Sequence, residues 1–440
     1  MDRRAFLFST AWLAVAPAPN MVQTVSQLGP GAPYAPPEDT VFGAWMAAFI
    51  DKAAAQGLPR DQVTAALAGL TPDPQVIALD QRQPEFSKPI SAYIDATVSP
   101  GRVRDGQARL AAARPWLDPI VDHYQVPAEI LVSIWAVESG FGQTQGNDDV
   151  IRSLATLAAE GRRQAFAEEE LIGALKILFS GEAARTQLVG SWAGAMGQTQ
   201  FTPLDYLAYA VDGDGDGKRD IWGSSADALA STANFLSKKA HWVPEGAVQV
   251  EVVVPKVGFD YGLTEGPSMT IAQWVALGVR AAGAGYGQPP IMGFPDPSIH
   301  GDSAALIMPM GWQGPGFLTY PNHMAIRAYN NSTSYALAVG LLADRIAGGG
   351  PLVQPWPVDQ PISLDDRKAA QQALTTLGYY TGEIDGLLGA GSRKAARQWQ
   401  ISQALPADGY LSYVLIQQLK AQVAAPPTPS PAPPPLAPQG

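Results

Sequence analysis

The 440-residue sequence contains no cysteine and only four histidines. The absence of cysteine excludes disulfide bonds, zinc–thiolate sites, iron–sulfur clusters and thiol nucleophiles. The four histidines form no pair at the helical spacing of a metal site, and no G-x-S-x-G elbow supports a Ser–His–Asp hydrolase. Positive charge is also scarce, because 29 Lys and Arg residues stand against 40 Asp and Glu residues, for a formal net charge of −11. Nucleic acid is therefore not an expected partner, since it requires a basic face.

Long hydrophobic runs are missing as well, so no stable membrane span is expected. One short apolar run stands at the N-terminus, where Arg3 and Arg4 precede Phe6 and Leu7 and small residues follow. This order predicts an export signal over residues 1–20 of the twin-arginine type, with an ordinary Sec signal or an amphipathic anchor as alternatives. A lipid anchor is not expected, because there is no cysteine to acylate. The mature protein is predicted to act outside the cytoplasm.

Proline-rich stretches divide the rest of the chain. Residues 21–38 and 349–362 are rich in Pro together with Ala, Gly or Val, and we interpret them as linkers. Between them, apolar residues recur at helical spacing through most of 39–348, while VQVEVVV at 248–254 alternates like a strand. A compact unit follows at 363–422. The sequence thus predicts a mainly α (α+β) protein with a small β insertion in its first domain.

The stretch IWAVESGFG, residues 134–142, places a carboxylate at the end of an apolar helix. Glu138 follows buried-type residues and precedes two glycines that allow a sharp turn. Burial and the negative end of the helix dipole both raise the pKa of a carboxyl group. A carboxylic acid that keeps its proton near neutral pH can serve as a general acid. A surface glutamate near a helix end is the alternative interpretation.

Two further blocks follow in order. Residues 191–203 read SWAGAMGQTQFTP, and residues 317–346 read FLTYPNHMAIRAYNNSTSYALAVGLLADRI. Together with ESGFG they resemble the signatures of lytic murein transglycosylases of the membrane-bound lytic transglycosylase B type. The resemblance extends over most of the first unit. It implies a lysozyme-like catalytic domain, which we place at residues 39–348.

The resemblance also implies a reaction. Such enzymes cleave the β-1,4 bond between N-acetylmuramic acid and N-acetylglucosamine in peptidoglycan. Glu138 matches the residue that protonates the leaving oxygen and then, as a base, assists attack of the muramic acid 6-hydroxyl on C1. Most glycosidases need two carboxylates, whereas this route to a 1,6-anhydro product needs one. A hydrolysing muramidase and a catalytically inactive wall-binding scaffold are the alternative functions.

Further positions match residues that line the family's substrate cleft. They are Ser191, Gln200, Tyr329, Asn330, Tyr335, Arg162 and Arg163. The resemblance implies that Asn330 contacts the acetamido group and that the two arginines face the anionic stem peptides or lactyl carboxylates. The alternatives are a helix N-cap for Ser191, core packing for the tyrosines and a solvated face for the arginines.

The segment DGDGDGKRD, residues 212–220, has the acid spacing of an EF-hand calcium loop with Gly217 at its sixth position. Position 12 is Gly223 and not a bidentate glutamate, and the resemblance offers an aspartate of the following helix in its place. The predicted Ca²⁺ ligands are Asp212, Asp214, Asp216, the Lys218 carbonyl, Asp220 and Asp227. The ion is expected to be structural, no organic cofactor is expected, and a hydrated acidic turn is the alternative.

The unit at 363–422 contains LGYY at 377–380, IDG at 384–386 and ADG at 407–409. These landmarks resemble those of the peptidoglycan-binding domain type 1, a small three-helix module. Two Asp-Gly pairs, at 385–386 and 408–409, suggest an internal half-repeat. Binding to the wall would raise the enzyme's effective concentration there. Residues 423–440 form a Pro-rich tail that is expected to be disordered. The predicted protein is periplasmic and wall-associated, and its partners are peptidoglycan glycan strands, with other cell-wall enzymes as a further class.

Overall fold

The computed structural model describes residues 40–82, 89–283, 293–296 and 303–424. The predicted export signal, the first predicted linker and nearly all of the Pro-rich tail lie outside these residues. Within the described ranges, no helix is both long and apolar enough to cross a membrane.

Helices build most of the first domain, and several begin where the sequence offers a capping side chain. Thr40, Ser99, Asp149, Thr202 and Ser224 each accept an N–H of the first helical turn, which satisfies a donor that the helix leaves unpaired. The helices that precede the sheet are α1 (Val41–Ala55), α2 (Arg60–Leu67), α3 (Pro74–Arg82), α4 (Ile90–Thr97), α5 (Pro100–Tyr124), α6 (Ala128–Ser139), α7 (Val150–Glu160), α8 (Gln164–Ser180), α9 (Pro203–Tyr209) and α10 (Ser225–Lys238).

The core of this domain surrounds α6. Leu131, Val132, Ile134 and Ala136 have no exposed surface, as expected for a helix that is apolar all round. α6 packs against α5, α10 and the helix at Thr333–Ile346. Two helices return to this core after the sheet, namely α12 (Pro321–Tyr329) and α13 (Thr333–Ile346). The apolar sequence of α6 therefore fixes its position at the centre of the domain.

A five-stranded antiparallel sheet forms the β insertion, in the order β4-β6-β7-β3-β5. The VQVEVVV segment supplies β3, and Val252, Leu306, Leu318 and Trp274 lie in the sheet's own apolar core. The mainly α (α+β) class with a small β insertion is thus confirmed. The strands of this sheet are β3 (Gln249–Val253), β4 (Met269–Thr270), β5 (Arg280–Ala281), β6 (Ser303–Ile307) and β7 (Gly316–Thr319). A short helix, α11 (Ile271–Ala276), follows β4. Apart from this sheet, β1 (Asp148–Asp149) pairs with β2 (Val189–Gly190).

The C-terminal unit consists of three helices around Trp399, Leu374 and Ile416. They are α14 (Leu364–Thr376), α15 (Ala390–Ser402) and α16 (Tyr413–Ala424). This is the predicted small three-helix domain.

The half-repeat of this unit is visible in its hydrogen bonds. The side-chain amide of Gln371 donates to Asp385 Oδ1 over 2.9 Å and accepts the backbone N–H of Gly386 over 2.7 Å. Gln400 does the same with Asp408, over 2.9 and 2.7 Å. Each buried amide thereby fixes one Asp-Gly turn, and the two halves share one local design.

The segment between the two domains is packed, although it forms no helix or strand. Glu251 on β3 accepts the backbone N–H groups of Val353 and Gln354 over 2.8 and 2.7 Å. Trp356 lies against Phe317 with ring centroids 6.3 Å apart. A free spacer would make no such contacts, so this segment is attached to the sheet.

The C-terminal unit also contacts the sheet domain directly. Asp408 accepts the backbone N–H of Trp312 over 2.8 Å through the oxygen that its own turn does not use. Arg393 pairs with Glu265 at 2.8 Å. Arg397, one turn further along α15, donates a guanidinium N–H to the carbonyl of Thr264 over 2.9 Å. The second Asp-Gly turn is therefore part of a domain interface.

Candidate active site

Glu138 lies in the last turn of α6 and is only 3% exposed. The hydroxyl of Tyr335, on α13, donates to Glu138 Oε1 over 2.6 Å. Gly140 follows in the left-handed region (φ 57°) and turns the chain away from the helix, as a C-terminal glycine commonly does. The structure thus gives the predicted acid a buried position and one short hydrogen bond.

The charge of Glu138 acts on two tyrosines, Tyr335 and Tyr93. Burial raises the pKa of Tyr335 well above its usual value, and the charge of Glu138 adds to the effect. Burial and then Glu138 also raise the pKa of Tyr93, a half-buried residue of α4. Both phenols therefore remain protonated at any working pH and can act as donors. Tyr93 lies outside the three sequence blocks, and nothing in the sequence beyond its residue type indicates a role at this site.

Tyr329 is the last residue of α12 and acts electrostatically on Tyr335, and Asn330 follows it in the chain. The Tyr329 hydroxyl donates to the carbonyl of Thr199 over 2.5 Å, and its ring packs against Phe235 at 5.1 Å. Tyr329 is 1% exposed, so its packing agrees with the core alternative. Asn330 is buried as the C-cap of the helix.

Ser191 and Gln200 belong to one turn-rich segment between β2 and α9. Ser191 is half-buried, and its Oγ accepts the N–H of Ala195 over 3.1 Å, so it closes a loop turn and does not cap a helix. Gln200 adopts a left-handed conformation (φ 56°), and its amide donates to the carbonyls of Gln145 and Gly197 over 2.9 Å each. Their contact with substrate stays a prediction.

Arg162 and Arg163 share an internal anion. Arg162 Nε donates to Asp80 Oδ2 over 2.7 Å, and Arg163 Nε lies 3.1 Å from Asp80 Oδ1. Asp80 is 1% exposed, so it requires such partners, since an unpaired buried carboxylate is costly. The Arg163 guanidinium also lies over the ring of Trp192 at 5.7 Å. The structure thus gives both arginines a structural partner, and their predicted contact with stem peptides remains untested.

Three of the predicted metal ligands converge. One carboxylate oxygen from each of Asp212, Asp214 and Asp227 lies within 4.8 Å of the other two. Asp227 belongs to α10 and is fully buried. The pKa of Asp227 is raised above its usual value, chiefly by burial and also by the charge of Asp214. The backbone N–H groups of Gly213 and Asp220 oppose this effect but do not cancel it. Three close carboxylates are the oxygen ligands that calcium prefers, so these residues fit the ion.

The other three predicted ligands lie outside this cluster of aspartates. Asp220 Oδ1 accepts the N–H groups of Trp222 and Gly223 over 3.1 and 2.9 Å. Asp216 Oδ1 accepts the N–H of Lys218 over 2.9 Å. These contacts shape the loop itself, and metal ligation by Asp216, Lys218 and Asp220 stays a prediction.

Comparisons with known proteins cover both domains. Residues 41–344 match the family model described as the transglycosylase SLT domain, and residues 363–419 match a peptidoglycan-binding domain model. The chain is 32% identical over 316 residues to membrane-bound lytic murein transglycosylase B of Escherichia coli strain K12, which covers 68% of this chain and 81% of that protein.

Solved structures of lytic transglycosylases are also similar to this chain. SltB3 from Pseudomonas aeruginosa, in complex with NAG-anhNAM-pentapeptide, matches with a TM-score of 0.79 at 45% identity, over 86% of this chain and 99% of that one. The Escherichia coli lytic transglycosylase Slt35, in complex with calcium, matches with a TM-score of 0.58 at 29% identity, over 69% and 92% of the two chains.

Proposed function

Since the chain belongs to the family of the transglycosylase SLT domain, we propose that Glu138 is the acid and base with which it cleaves peptidoglycan glycan strands. The activity is that of a lytic transglycosylase, a lyase that acts on peptidoglycan. The observation that carries the assignment is the buried carboxylate at the end of α6 with the hydroxyl of Tyr335 only 2.6 Å from Oε1.

The proposed reaction uses one carboxyl group twice. Protonated Glu138 gives its proton to the oxygen of the β-1,4 bond between N-acetylmuramic acid and N-acetylglucosamine, and the bond from C1 to that oxygen breaks. The muramic acid 6-hydroxyl then forms a bond to C1, and its proton returns to the Glu138 carboxylate. The product is a 1,6-anhydro sugar, and no water is consumed.

The phenols support this exchange. When Glu138 has given up its proton, the hydroxyl of Tyr335 donates to the resulting carboxylate, and a charge-assisted hydrogen bond of this kind is roughly twice as strong as a neutral one. Burial and then the charge of Glu138 also raise the pKa of Tyr93, which keeps this second phenol protonated. We assign substrate contact to Ser191, Gln200 and Asn330, and the positioning of the site to Tyr329.

Calcium is proposed as a structural ion at Asp212, Asp214 and Asp227. The convergence of their carboxylate oxygens supports the site, as does the calcium that Slt35 binds. When bound, the ion would offset two of the three negative charges of these carboxylates and would hold the loop against α10.

We also propose the location and the division of labour. A twin-arginine-like leader followed by a peptidoglycan-directed enzyme supports a periplasmic site of action. The domain limits stand as proposed, with catalysis at 39–348 and wall binding at 363–422. A match to a peptidoglycan-binding family supports the second role.

The Glu138→Gln variant tests the assignment, because it keeps the shape of the side chain and removes the transferable proton. Turnover of purified sacculi should fall by at least about 10² to 10⁴, while sacculus binding in a pull-down assay is unchanged. The matched control is Glu129→Gln, a glutamate in the first turn of the same helix. Residual activity of Glu138→Gln within about tenfold of wild type would contradict the role of Glu138.

A further inference from the structure

Gln198 is a buried side-chain amide that the proposed chemistry does not use. It is 4% exposed and lies in the turn-rich segment between β2 and α9. We propose that Gln198 is a positioning residue that fixes the C-terminal end of α6, and with it Glu138, to the segment that leaves the metal loop. This inference rests on the proposed role of Glu138.

On one side, Gln198 binds the last turn of α6. Its Oε1 accepts the indole N–H of Trp135 over 2.9 Å. Its backbone carbonyl accepts the hydroxyl of Ser139 over 2.5 Å, and the same hydroxyl oxygen accepts the N–H of Gly142 over 2.8 Å. Trp135 and Ser139 stand three residues before and one residue after Glu138. Both sides of the catalytic position are therefore bonded to one residue.

On the other side, Gln198 binds the segment between the metal loop and α10. Its N–H donates to the carbonyl of Ile221 over 2.9 Å, and its Nε2 donates to the carbonyl of Trp222 over 3.2 Å. The hydroxyl of Ser225 donates to its Oε1 over 3.0 Å. Asp227, a member of the carboxylate cluster, stands two residues beyond Ser225. It accepts the backbone N–H of Asp220, the residue before Ile221, over 2.7 Å.

The chemistry of these partners requires an amide. An indole N–H can only donate, so the amide oxygen must face Trp135, and the amide nitrogen must then face the carbonyl of Trp222. A carboxylate would present an oxygen to that carbonyl. An apolar side chain would leave the buried indole N–H of Trp135 without its acceptor, at about 1–3 kcal/mol. It would also remove the acceptor of the Ser225 hydroxyl and one of the two amide donors to the Trp222 carbonyl, the other being Gln145.

Gly142 shows that the catalytic segment is shaped around this amide. Its φ is 82°, and a Cβ added there would lie 2.8 Å from Gln198 Oε1. The second glycine of ESGFG therefore has a specific purpose, which is to let the chain after Glu138 pass over Gln198.

These contacts connect two sites that are separate in sequence. A change in the order of the metal loop would first shift the adjacent residues Ile221, Trp222 and Ser225. Because all three are bonded to Gln198, it would then shift Trp135 and Ser139 on the other side of Gln198. Misplacement of a catalytic group by about 1 Å can reduce a rate by about 10². Calcium should consequently act on the placement of Glu138 as well as on the stability of the loop.

The test uses the full chain and the variants Gln198→Met and Ser225→Ala. The second variant removes a single hydroxyl and guards against misfolding of the first. The control is Asn322→Leu, which also removes a buried amide, one that bonds to Val243 and Gly246 far from Glu138 in sequence. Each protein is titrated with Ca²⁺, and both its Tm and its kcat and KM on a soluble glycan fragment are measured.

The inference predicts that kcat falls at least about tenfold in Gln198→Met and a few-fold in Ser225→Ala, with KM within about twofold of wild type. In wild type and in Asn322→Leu, Ca²⁺ should raise Tm and kcat together. In Gln198→Met, Ca²⁺ should still raise Tm but should raise kcat by a smaller factor than in wild type, because the backbone bonds of residue 198 to Ser139 and Ile221 remain while the side-chain bonds are lost.

Three results overturn the inference, and the third is distinguishable from the first two. If wild type is active and both variants lose no more kcat than Asn322→Leu, or if Gln198→Met keeps the full calcium response of kcat, the positioning role is wrong and the proposed function stands. If wild type itself forms no 1,6-anhydro product, the proposed function fails and this inference fails with it.

Discussion

At the scale of single residues, the site depends on a carboxylate and the phenol that donates to it. Tyr335 and Glu138 come from helices far apart in sequence, and their 2.6 Å contact exists only because α6 and α13 pack together. The motif around Glu138 predicted a buried acid, and Tyr335 was expected in the cleft. Their direct contact could not be predicted, because it is set by the packing of two helices and not by local pattern.

Tyr335→Phe removes only this hydroxyl. A hydrogen bond to a charged group contributes about 1.5–3 kcal/mol, so kcat should fall by about 10- to 100-fold while the fold persists. The control is Tyr320→Phe, another fully buried tyrosine, which lies in the core of the sheet domain. Steady-state kinetics on a glycan fragment decide the matter, and equal kcat values for the two variants would contradict the role of Tyr335.

His323 predicts a pH dependence of stability. Burial, aided by the charge of Arg327, lowers its pKa from 6.5 to about 3. Between these values the unfolded chain binds the additional proton, so the free energy of unfolding should decrease as the pH falls below 6.5, by up to about 1.4 kcal/mol per pH unit. Urea unfolding between pH 4 and 7 should show this slope in wild type, and His323→Gln should reduce it. An identical slope in both would refute the assignment to His323.

At the scale of elements, the metal loop and α10 form one structure. The buried Asp227 accepts backbone N–H groups of Gly213 and Asp220, so the helix and both ends of the loop are bonded through one carboxylate. The sequence predicted Asp212, Asp214 and Asp227 as ligands of one calcium ion, and the structure brings one carboxylate oxygen of each within 4.8 Å of the others. Their ligation of the ion stays a prediction. The sequence could not show that Asp212 also accepts the N–H groups of Gly215 and Gly217 in its own loop, since the rotation of one side chain decides that.

Chelation should therefore lower the stability of the protein. At a calcium concentration 100-fold above Kd, binding adds about 2.7 kcal/mol to the free energy of unfolding, and a tight chelator should remove it. Calorimetry with and without chelator measures the shift in Tm. Asp227→Asn should have a lower Tm and a diminished shift, whereas Asp260→Asn, which lies outside the cluster, should keep it. A wild-type Tm that is insensitive to the chelator would contradict the calcium site.

The arginine pair shows a contact between elements that the sequence did not predict. A family resemblance suggested that Arg162 and Arg163 face the substrate, but the structure places Asp80 of α3 between them. Nothing in the local sequence indicates this, because Asp80 is some eighty residues earlier and looks like an ordinary helix-surface acid. Long-range charge pairing is invisible to periodicity.

At the scale of the whole molecule, two domains and the segment between them form a packed arrangement. The sequence correctly predicted both folds, since apolar periodicity and turn residues are local signals. It predicted a linker at 349–362, and the structure instead shows backbone N–H groups bonded to Glu251 and an interface at Asp408. A Pro-rich composition indicates the lack of helix or strand, and it does not indicate the lack of contacts.

Glu251→Ala should loosen this arrangement. It removes the acceptor of two linker N–H groups, so limited proteolysis within 349–362 should become several-fold faster. Activity on a soluble glycan fragment should remain unchanged, whereas activity on intact sacculi should decrease a few-fold, because the wall-binding unit no longer has a fixed position. Glu245→Ala is the control for loss of an acid nearby in sequence. Equal proteolysis rates for the two variants would show that the Glu251 contacts do not restrain the segment.

The central claim is that Glu138 cleaves glycan strands without water as a reactant. The most direct measurement is digestion of purified peptidoglycan by the wild-type protein in H₂¹⁸O, followed by mass analysis of the products. The account predicts 1,6-anhydro-muropeptides that contain no ¹⁸O, and none of them with Glu138→Gln. Muropeptides with reducing ends that carry ¹⁸O would show hydrolysis and contradict the account, as would sacculi that remain intact.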